Sequence, residues 1–403
     1  MNINLKSFIV VCSILLILIS GVGWANADTK WLPAPETIDI GASMELSGPT
    51  ALTGYIENAM VTLGVEKVNK DGGIYGIPLR LIGEDSQGTN PGALAAINKL
   101  VYEHEVLVPF IGVRSTMNHA ISPLILEAKI PAAFGGTAWS VIELRNPWMF
   151  GFRTNDRDVA NIMAKFIVED LGQTKLASLH SDEAFGQGGH EETTRALKKY
   201  YGIEPLTTQS FARGTKDYTP QLLAIKQSGA SCIYSWSANA EDNAIILRQI
   251  RQLGLNVVLV GGASYGNLET TVKLAGKDAE GIYSIVDFSP ADESPIAQEV
   301  NKELMEKYNL TSGNPWMYDG VLTLADAIRR SGIIKEIDGK KMSMPLEEAR
   351  AAIREALAQT KDFHEGTMRA QTCDENNVLS HEMTIVQIKD GWHKVVKKID
   401  LMQ

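Results

Sequence analysis

Thr37-Ile38-Asp39-Ile40-Gly41-Ala42, then a helix-period stretch over 58–70, then Leu79-Arg80-Leu81-Ile82, decide the fold class. The first and third runs are short, apolar and β-rich, and the middle one spaces its apolar residues for one face of a helix. A second helical stretch at 92–101 leads into another apolar run, 106–112. The rhythm resumes with helical patterns at 160–171, 189–201 and 241–253 alternating with strand patterns at 176–180, 231–234 and 257–261. Strands that are continuously apolar have both faces covered, so the alternation predicts an α/β protein with parallel sheets under helices.

Punctuation agrees with this reading. Asp71-Gly72-Gly73-Ile74-Tyr75-Gly76-Ile77-Pro78 supplies turn residues between the first helix and the next strand, and Pro91 suits the first turn of the helix after it. Residues 309–315 read as a loop between helices, and 383–388 with 395–399 as a hairpin turned by Asp390-Gly391.

The first 27 residues read as an export signal. Lys6 is the charged start, residues 8–19 the apolar run, and Ala25-Asn26-Ala27 the cleavage site. That run is about twelve residues, short of the roughly twenty that span a bilayer. Cys12 has no lipobox before it, so a free protein in the periplasm is expected. About 375 remaining residues exceed what one core usually serves, so two domains are expected.

The formal charge is −10, or −11 without Lys6, and basic residues are dispersed, which argues against a nucleic-acid partner. Cys232 and Cys373 are far apart and read as buried free thiols. No metal motif or phosphate-binding P-loop is present, the seven histidines are scattered singly, and neither metal nor cofactor is expected.

Several segments, in order, resemble the leucine/isoleucine/valine-binding proteins, the type I periplasmic binding proteins of branched-chain and hydrophobic amino-acid ABC transporters. They are Ser47-Gly48-Pro49, Val68-Asn69-Lys70-Asp71-Gly72-Gly73-Ile74, and Ala120-Ile121-Ser122-Pro123 opening a helix. Phe152-Arg153-Thr154, Phe185-Gly186-Gln187-Gly188, Ile246-Leu247-Arg248-Gln249, Ala279-Glu280-Gly281 and Tyr318-Asp319-Gly320 continue the likeness over nearly the whole mature chain. The resemblance implies two Rossmann-like lobes joined by three crossover strands, with crossings near Asn155, Ile285 and Gly366. One lobe would then comprise 28–155 and 285–366, the other 156–284 and 367–403. It further implies a monomer that captures a small carboxylate-bearing solute between the lobes and delivers it to the membrane permease subunits of an importer.

In that family the carboxylate is held by a Ser after a Gly-ended strand and a Thr in a nearby turn, which match Ser115 and Thr137 here, with Gly135 offering its carbonyl. The residues support this independently. Gly112-Val113-Arg114-Ser115-Thr116 follows an apolar strand and precedes a helix, where free N–H groups bind anions, and Phe134-Gly135-Gly136-Thr137 repeats the arrangement. An ordinary helix cap is the alternative for Ser115 and Thr116. Phe185 matches an aromatic that lines the cleft, with a core aromatic as the alternative, and Tyr318 is read the same way. Asn239 matches a ligand-touching Tyr of the family. Arg114 reads as a solvated side chain with an acidic ligand within reach.

One departure stands out. Relatives often carry an acid for the ligand's ammonium after the strand that here ends Val260-Gly261-Gly262, and this chain has Ala263-Ser264 instead. Glu45 and Asp319 are the candidates to replace it; a non-amino or aromatic carboxylic acid is the alternative ligand.

Two other classes compete with the transport reading. Gly262-Ala263-Ser264-Tyr265-Gly266 satisfies the G-x-S-x-G pattern of a hydrolase nucleophile, with His364, His381 and His393 downstream. Such an elbow also needs an oxyanion loop and a base within hydrogen-bond reach, and those histidines sit in polar, exposed loops or in the terminal hairpin, so the chain is expected not to be an enzyme. A sensory binding protein of the same fold also remains open.

Overall fold

The computed structural model describes residues 29–368, 371–380 and 382–401. The export signal expected over 1–27 lies outside the described residues. After the short β1 (Leu32–Pro33), the chain builds a first unit from β2 (Ile38–Met44), α1 (Ala51–Lys70), β3 (Leu79–Asp85), α2 (Asn90–Asn98) and β4 (Pro109–Ile111). α3 (Ser115–Ala128), β5 (Ala132–Phe134), α4 (Trp139–Ile142) and β6 (Met149–Gly151) complete that pass. The five main strands lie in the order β3-β2-β4-β5-β6, every pair parallel.

The chain then enters a second unit with α5 (Asp156–Lys165), β7 (Leu176–Ser181), α6 (Ala184–Tyr201), β8 (Thr207–Phe211) and α7 (Thr219–Ser228). β9 (Cys232–Trp236), α8 (Ala240–Gln252), β10 (Val258–Gly261), α9 (Lys273–Ala275) and β11 (Tyr283–Val286) follow. Their order, β8-β7-β9-β10-β11, repeats the order of the first sheet. α10 (Pro295–Tyr308), α11 (Pro315–Ser331), β12 (Ile334–Ile337), β13 (Lys340–Ser343) and α12 (Leu346–Ala358) return to the first lobe, where β13 pairs with β1 and β12. β14 (Glu382–Lys389) extends the second sheet antiparallel to β11, and β15 (Trp392–Asp400) pairs antiparallel with β14 at its edge. Asp390 (φ 52°) and Gly391 (φ 73°) turn this hairpin in the left-handed conformation that a two-residue turn requires.

Three passages therefore join the lobes, and the third is later than the sequence suggests. Residues 363–368 and 371–380 stay on the first lobe rather than leaving it near Gly366. Phe363 pairs with Gln371, Asp319 accepts from the backbone N–H groups of Thr367 and Met368 (2.8 Å each), and Val378 forms a parallel bridge to Gly151 at the sheet edge. This segment has no apolar period because backbone groups hold it, so periodicity cannot show where it crosses.

The helix expected to open at Ala120 opens at Ser115, which places Pro123 inside it. Cys232 is buried and Cys373 half-buried, both free, and burial pushes their thiols up to about 12. Among the described residues no helix is long and apolar enough to cross a membrane.

The first lobe's core depends on a close helix contact. α11 is buried on nearly every face, and α1 lies against it through Gly64, where an added Cβ would sit 2.9 Å from Cβ of Val321 and 3.1 Å from the Tyr318 carbonyl. Tyr318, expected at the cleft, is instead part of this core and 5% exposed. Gly64→Ala must push the helices apart, and overpacking of this kind costs about 1–3 kcal/mol. The expected result is a lower urea midpoint at unchanged m-value; an unchanged midpoint would show that α1 and α11 are free to separate.

Candidate functional site

In an open parallel sheet the turns beyond the strand carboxyl ends collect along one edge, and ligands bind where the strand order reverses. Here two such edges face each other and enclose a cavity of about 410 Å³. The first lobe contributes the turns after β2, β4, β5 and β6, through residues such as Thr53, Ser115, Thr137 and Arg153. The second contributes the turns after β7, β9, β10 and β11, through Phe185, Asn239, Ser264 and Asp287.

The most informative element is the start of α3. Its N-cap residue, Arg114, makes no side-chain cap, so the first-turn N–H groups beside Ser115 and Thr116 have no side-chain acceptor, and both residues line the cavity. Such a helix start favours an anion through its N–H groups and its dipole. The Ser115 hydroxyl accepts from the Ala138 N–H (3.2 Å), which ties this turn to the one carrying Thr137.

Buried Asn118 ties the same two turns more firmly. Its Nδ2 donates to the Gly112 carbonyl (3.1 Å), and its Oδ1 accepts from the Gly136 N–H (2.9 Å). A Cβ on Gly136 would stand 2.3 Å from that Oδ1, so glycine is needed there for close approach. Thr137 lines the cavity, its hydroxyl beside the Asp156 carboxyl.

Gly135 does not line the cavity. Its carbonyl accepts from Arg153 Nη1 (3.1 Å), and its Cα faces the Trp316 ring, so the carbonyl expected to meet a ligand is already used.

Charges in the floor come as pairs. Arg114 Nε lies 2.7 Å from Oε1 of the fully buried Glu45, so Arg114 is not a solvated side chain. Arg153 donates from Nε (2.9 Å) and Nη2 (2.6 Å) to Asp287 Oδ2. Below them, burial reinforced by the Glu45 charge pushes the Glu57 carboxyl up to about 8, and burial pushes Asp156 up to about 7. At neutral pH Glu57 is protonated while it accepts from the Val113 N–H (3.2 Å). Each arginine thus has its own carboxylate, and backbone dipoles are what the floor offers an anion.

The two acids proposed to replace the missing ammonium partner are committed elsewhere. Glu45 belongs to Arg114, and both oxygens of Asp319 accept from residues 367–368, away from the cavity. Besides Glu183 and Glu241, Asp287 is a carboxylate that does reach the cavity wall. It follows an apolar strand directly, a signal present in the sequence and passed over.

On the second lobe Phe185 lines the cavity with its ring edge-on to Trp236, the centroids 5.4 Å apart. Asn239 also lines it, but its Oδ1 caps α8 by accepting from the Glu241 and Asp242 N–H groups (2.9 and 3.3 Å). Beside Ala263, the Ser264 hydroxyl donates to the Ser237 carbonyl, and its oxygen accepts from Asn243 Nδ2 (3.1 Å).

His393, in the terminal hairpin, is 7% exposed and lines the cavity. Its Nε2 lies 2.6 Å from the Gly266 carbonyl and its Nδ1 3.0 Å from the Ser289 hydroxyl. It fastens the turn after β10 to the second crossing, a role that only the hairpin's docking could reveal. No hydrogen bond joins it to Ser264, and among the described residues no group of His, Cys, Asp and Glu is placed to hold a metal.

Comparison with known proteins agrees with this architecture. Residues 37–392 match the family model described as periplasmic binding protein. The leucine-, isoleucine-, valine-, threonine- and alanine-binding protein of Pseudomonas aeruginosa is 25% identical over 322 residues, 78% of this chain and 83% of the relative. A Leu/Ile/Val-binding protein homologue of Brucella melitensis is 27% identical over 295 residues, 72% of this chain and 78% of the relative.

Among solved structures, a branched-chain amino acid transporter substrate binding protein from Streptococcus pneumoniae, in complex with isoleucine, superposes with a TM-score of 0.76 at 22% identity, covering 90% of this chain and 98% of that one. An ABC transporter solute binding protein from Rhodopseudomonas palustris, in complex with 3,4-dihydroxybenzoic acid, has the same TM-score at 18% identity, covering 91% and 98%. With the doubly repeated strand order, the facing strand ends and a family match over most of its length, this chain belongs to the periplasmic binding protein family, as a type I member of the leucine/isoleucine/valine-binding group.

Proposed function

We propose that the chain captures a small carboxylate-bearing solute, a branched-chain or other hydrophobic amino acid, in the periplasm and hands it as a monomer to the permease of an ABC importer. The observation that carries this reading is the uncapped start of α3 beside Thr137, in a floor whose two arginines are already paired. That geometry suits one carboxylate and disfavours a polyanion, which would need unpaired cations. Phe185, Leu268 and Val286 give the rest of the solute apolar surface. The relatives' names support an amino acid. Ala263, where an acid is common, together with Phe185 and Phe288 and the dihydroxybenzoate-bound relative, supports an aromatic or other non-amino carboxylic acid as the second reading.

The reading is a binding function, not catalysis. A nucleophilic Ser needs a base to take its proton, whereas the Ser264 hydroxyl donates to a carbonyl and His393 is bonded elsewhere. Purified protein is therefore expected to leave activated esters such as p-nitrophenyl acetate unhydrolysed. A burst of product that disappears in Ser264→Ala would establish a hydrolase instead.

A thermal-shift screen of the mature protein against branched-chain and aromatic amino acids and hydroxybenzoates identifies the solute class, because a ligand of the folded state raises apparent stability. For the acid that binds, the methyl ester should bind about ten- to a hundredfold less well by calorimetry, since bonds to a charged acceptor contribute about 1.5–3 kcal/mol. Equal binding of acid and ester would remove the carboxylate from the reading.

Affinity should also depend on pH through Glu57. Its carboxyl, raised to about 8, is neutral at pH 7, and ionisation beside the anion site repels the bound carboxylate. Binding should therefore hold the proton on Glu57 and weaken by up to about tenfold per pH unit as pH rises through 8. Glu57→Gln should flatten the profile between pH 7 and 9; an equally steep profile in the variant would exclude Glu57 as its source.

A further inference from the structure

We propose that Glu269 and Thr311 form a latch between the lobes, making Glu269 a positioning residue that sets how tightly the cleft holds a solute without touching it. Glu269 lies in the single turn Leu268–Val272 that follows β10, and the turn is anchored in the second lobe. Leu268 and Val272 are part of that lobe's core, and Asn267 Oδ1 caps the turn by accepting from the Glu269 and Thr270 N–H groups, 3.1 Å each. Thr311 lies in the loop between α10 and α11, anchored in the first lobe. Leu310 beside it is buried in that lobe's core, and a Cβ on Gly313 would meet Met60 and Leu304.

Across the gap, Thr311 donates both its backbone N–H and its hydroxyl to Oε1 of Glu269. The carboxylate is 6% exposed, and its other oxygen is 3.8 Å from Lys273. Neither partner belongs to a passage that joins the lobes. Leu268, Thr270, Ser312 and Asn314 line the cavity, whereas Glu269 and Thr311 do not. The latch therefore sits beside the ligand space rather than in it. Other ties between the lobes exist among the described residues: Arg157, close to the first crossing, stacks 3.7 Å over Trp139 and lies 4.0 Å from Glu143, and α6 packs against α3 and α4.

A buried carboxylate is costly unless donors satisfy it. Separated lobes would leave Glu269 to water, so the two bonds from Thr311 favour the closed arrangement by only the difference between protein and water partners. For bonds to a charged group that difference is about ten- to a hundredfold in the equilibrium between closed and open lobes. The apparent affinity of a ligand that needs the closed form scales with its population. Loss of the latch should thus weaken binding through faster release, while each lobe keeps its own core.

The amide oxygen of Glu269→Gln can still accept from Thr311 but without the charge, so that variant should keep part of the latch and Glu269→Ala should remove it. The test is small-angle scattering and thermal unfolding of the mature protein without added solute, for wild type, both Glu269 variants and Thr311→Val. The expected result is a larger radius of gyration for Glu269→Ala at an unchanged unfolding midpoint, and intermediate values for Glu269→Gln and Thr311→Val. A Glu269→Ala radius equal to wild type, or an equal expansion in Glu269→Gln, would overturn the proposal. If Glu269→Ala does not fold, Thr311→Val decides, and a wild-type radius there would likewise overturn it. No solute enters this experiment, so its outcome is separate from whether the cleft takes an amino acid.

Discussion

Parallel strands all end on the same side of their sheet, so their carboxyl-end turns, with the N–H groups that open the following helices, crowd along one edge. This constraint governs the molecule. It is met twice, by β3-β2-β4-β5-β6 and by β8-β7-β9-β10-β11, and the chain crosses three times so that the two edges face each other. Backbone polar groups that cannot be satisfied inside either sheet then look onto a shared space, where a solute can supply acceptors. The start of α3 is the clearest instance, since no side chain caps it.

The floor of that space is built to be polar without being strongly charged. Arg114 and Arg153 each carry a carboxylate partner, and Glu57, raised by burial, is neutral at pH 7. A buried pair contributes little net stability because desolvation offsets much of its attraction, but it holds its groups in place. Arg153 shows the benefit: while bound to Asp287 in the second crossing it also donates to Gly135 in the first lobe, joining two segments that flank the cavity. His393 does the same for the turn after β10 and the second crossing. The hinge region is thus tied to the cavity walls, and closure can follow from contacts that a solute makes with both lobes.

Legibility of the site varied by residue for identifiable reasons. Ser115, Thr116, Thr137, Phe185, Asn239, Ala263 and Ser264 all line the cavity, and each follows a strand whose apolar run was readable. Gly135 and Tyr318 do not line it, because which way a carbonyl or a helix face points depends on the neighbours: Arg153 and Trp316 for the first, the α1 contact for the second. Asp287 was passed over although it directly follows an apolar strand, whereas His393 was missed because nothing in its local sequence sets it apart from an ordinary polar residue.

Short-range information was enough for part of the molecule. Apolar runs of strand length between helix-period segments specify parallel α/β units, and Asp390-Gly391 specifies its hairpin turn, because these depend on side-chain period and local φ preference. Long-range packing decided the rest: that residues 363–368 and 371–380 stay with the first lobe, that Glu45 neutralises Arg114 and Asp287 neutralises Arg153, and that Glu269 meets Thr311. These pairs lie 42 to 134 residues apart, and a polar side chain carries no periodic signal of its partner. Only when both sheets are packed and their strand ends brought face to face does each charge acquire the neighbour that sets its role.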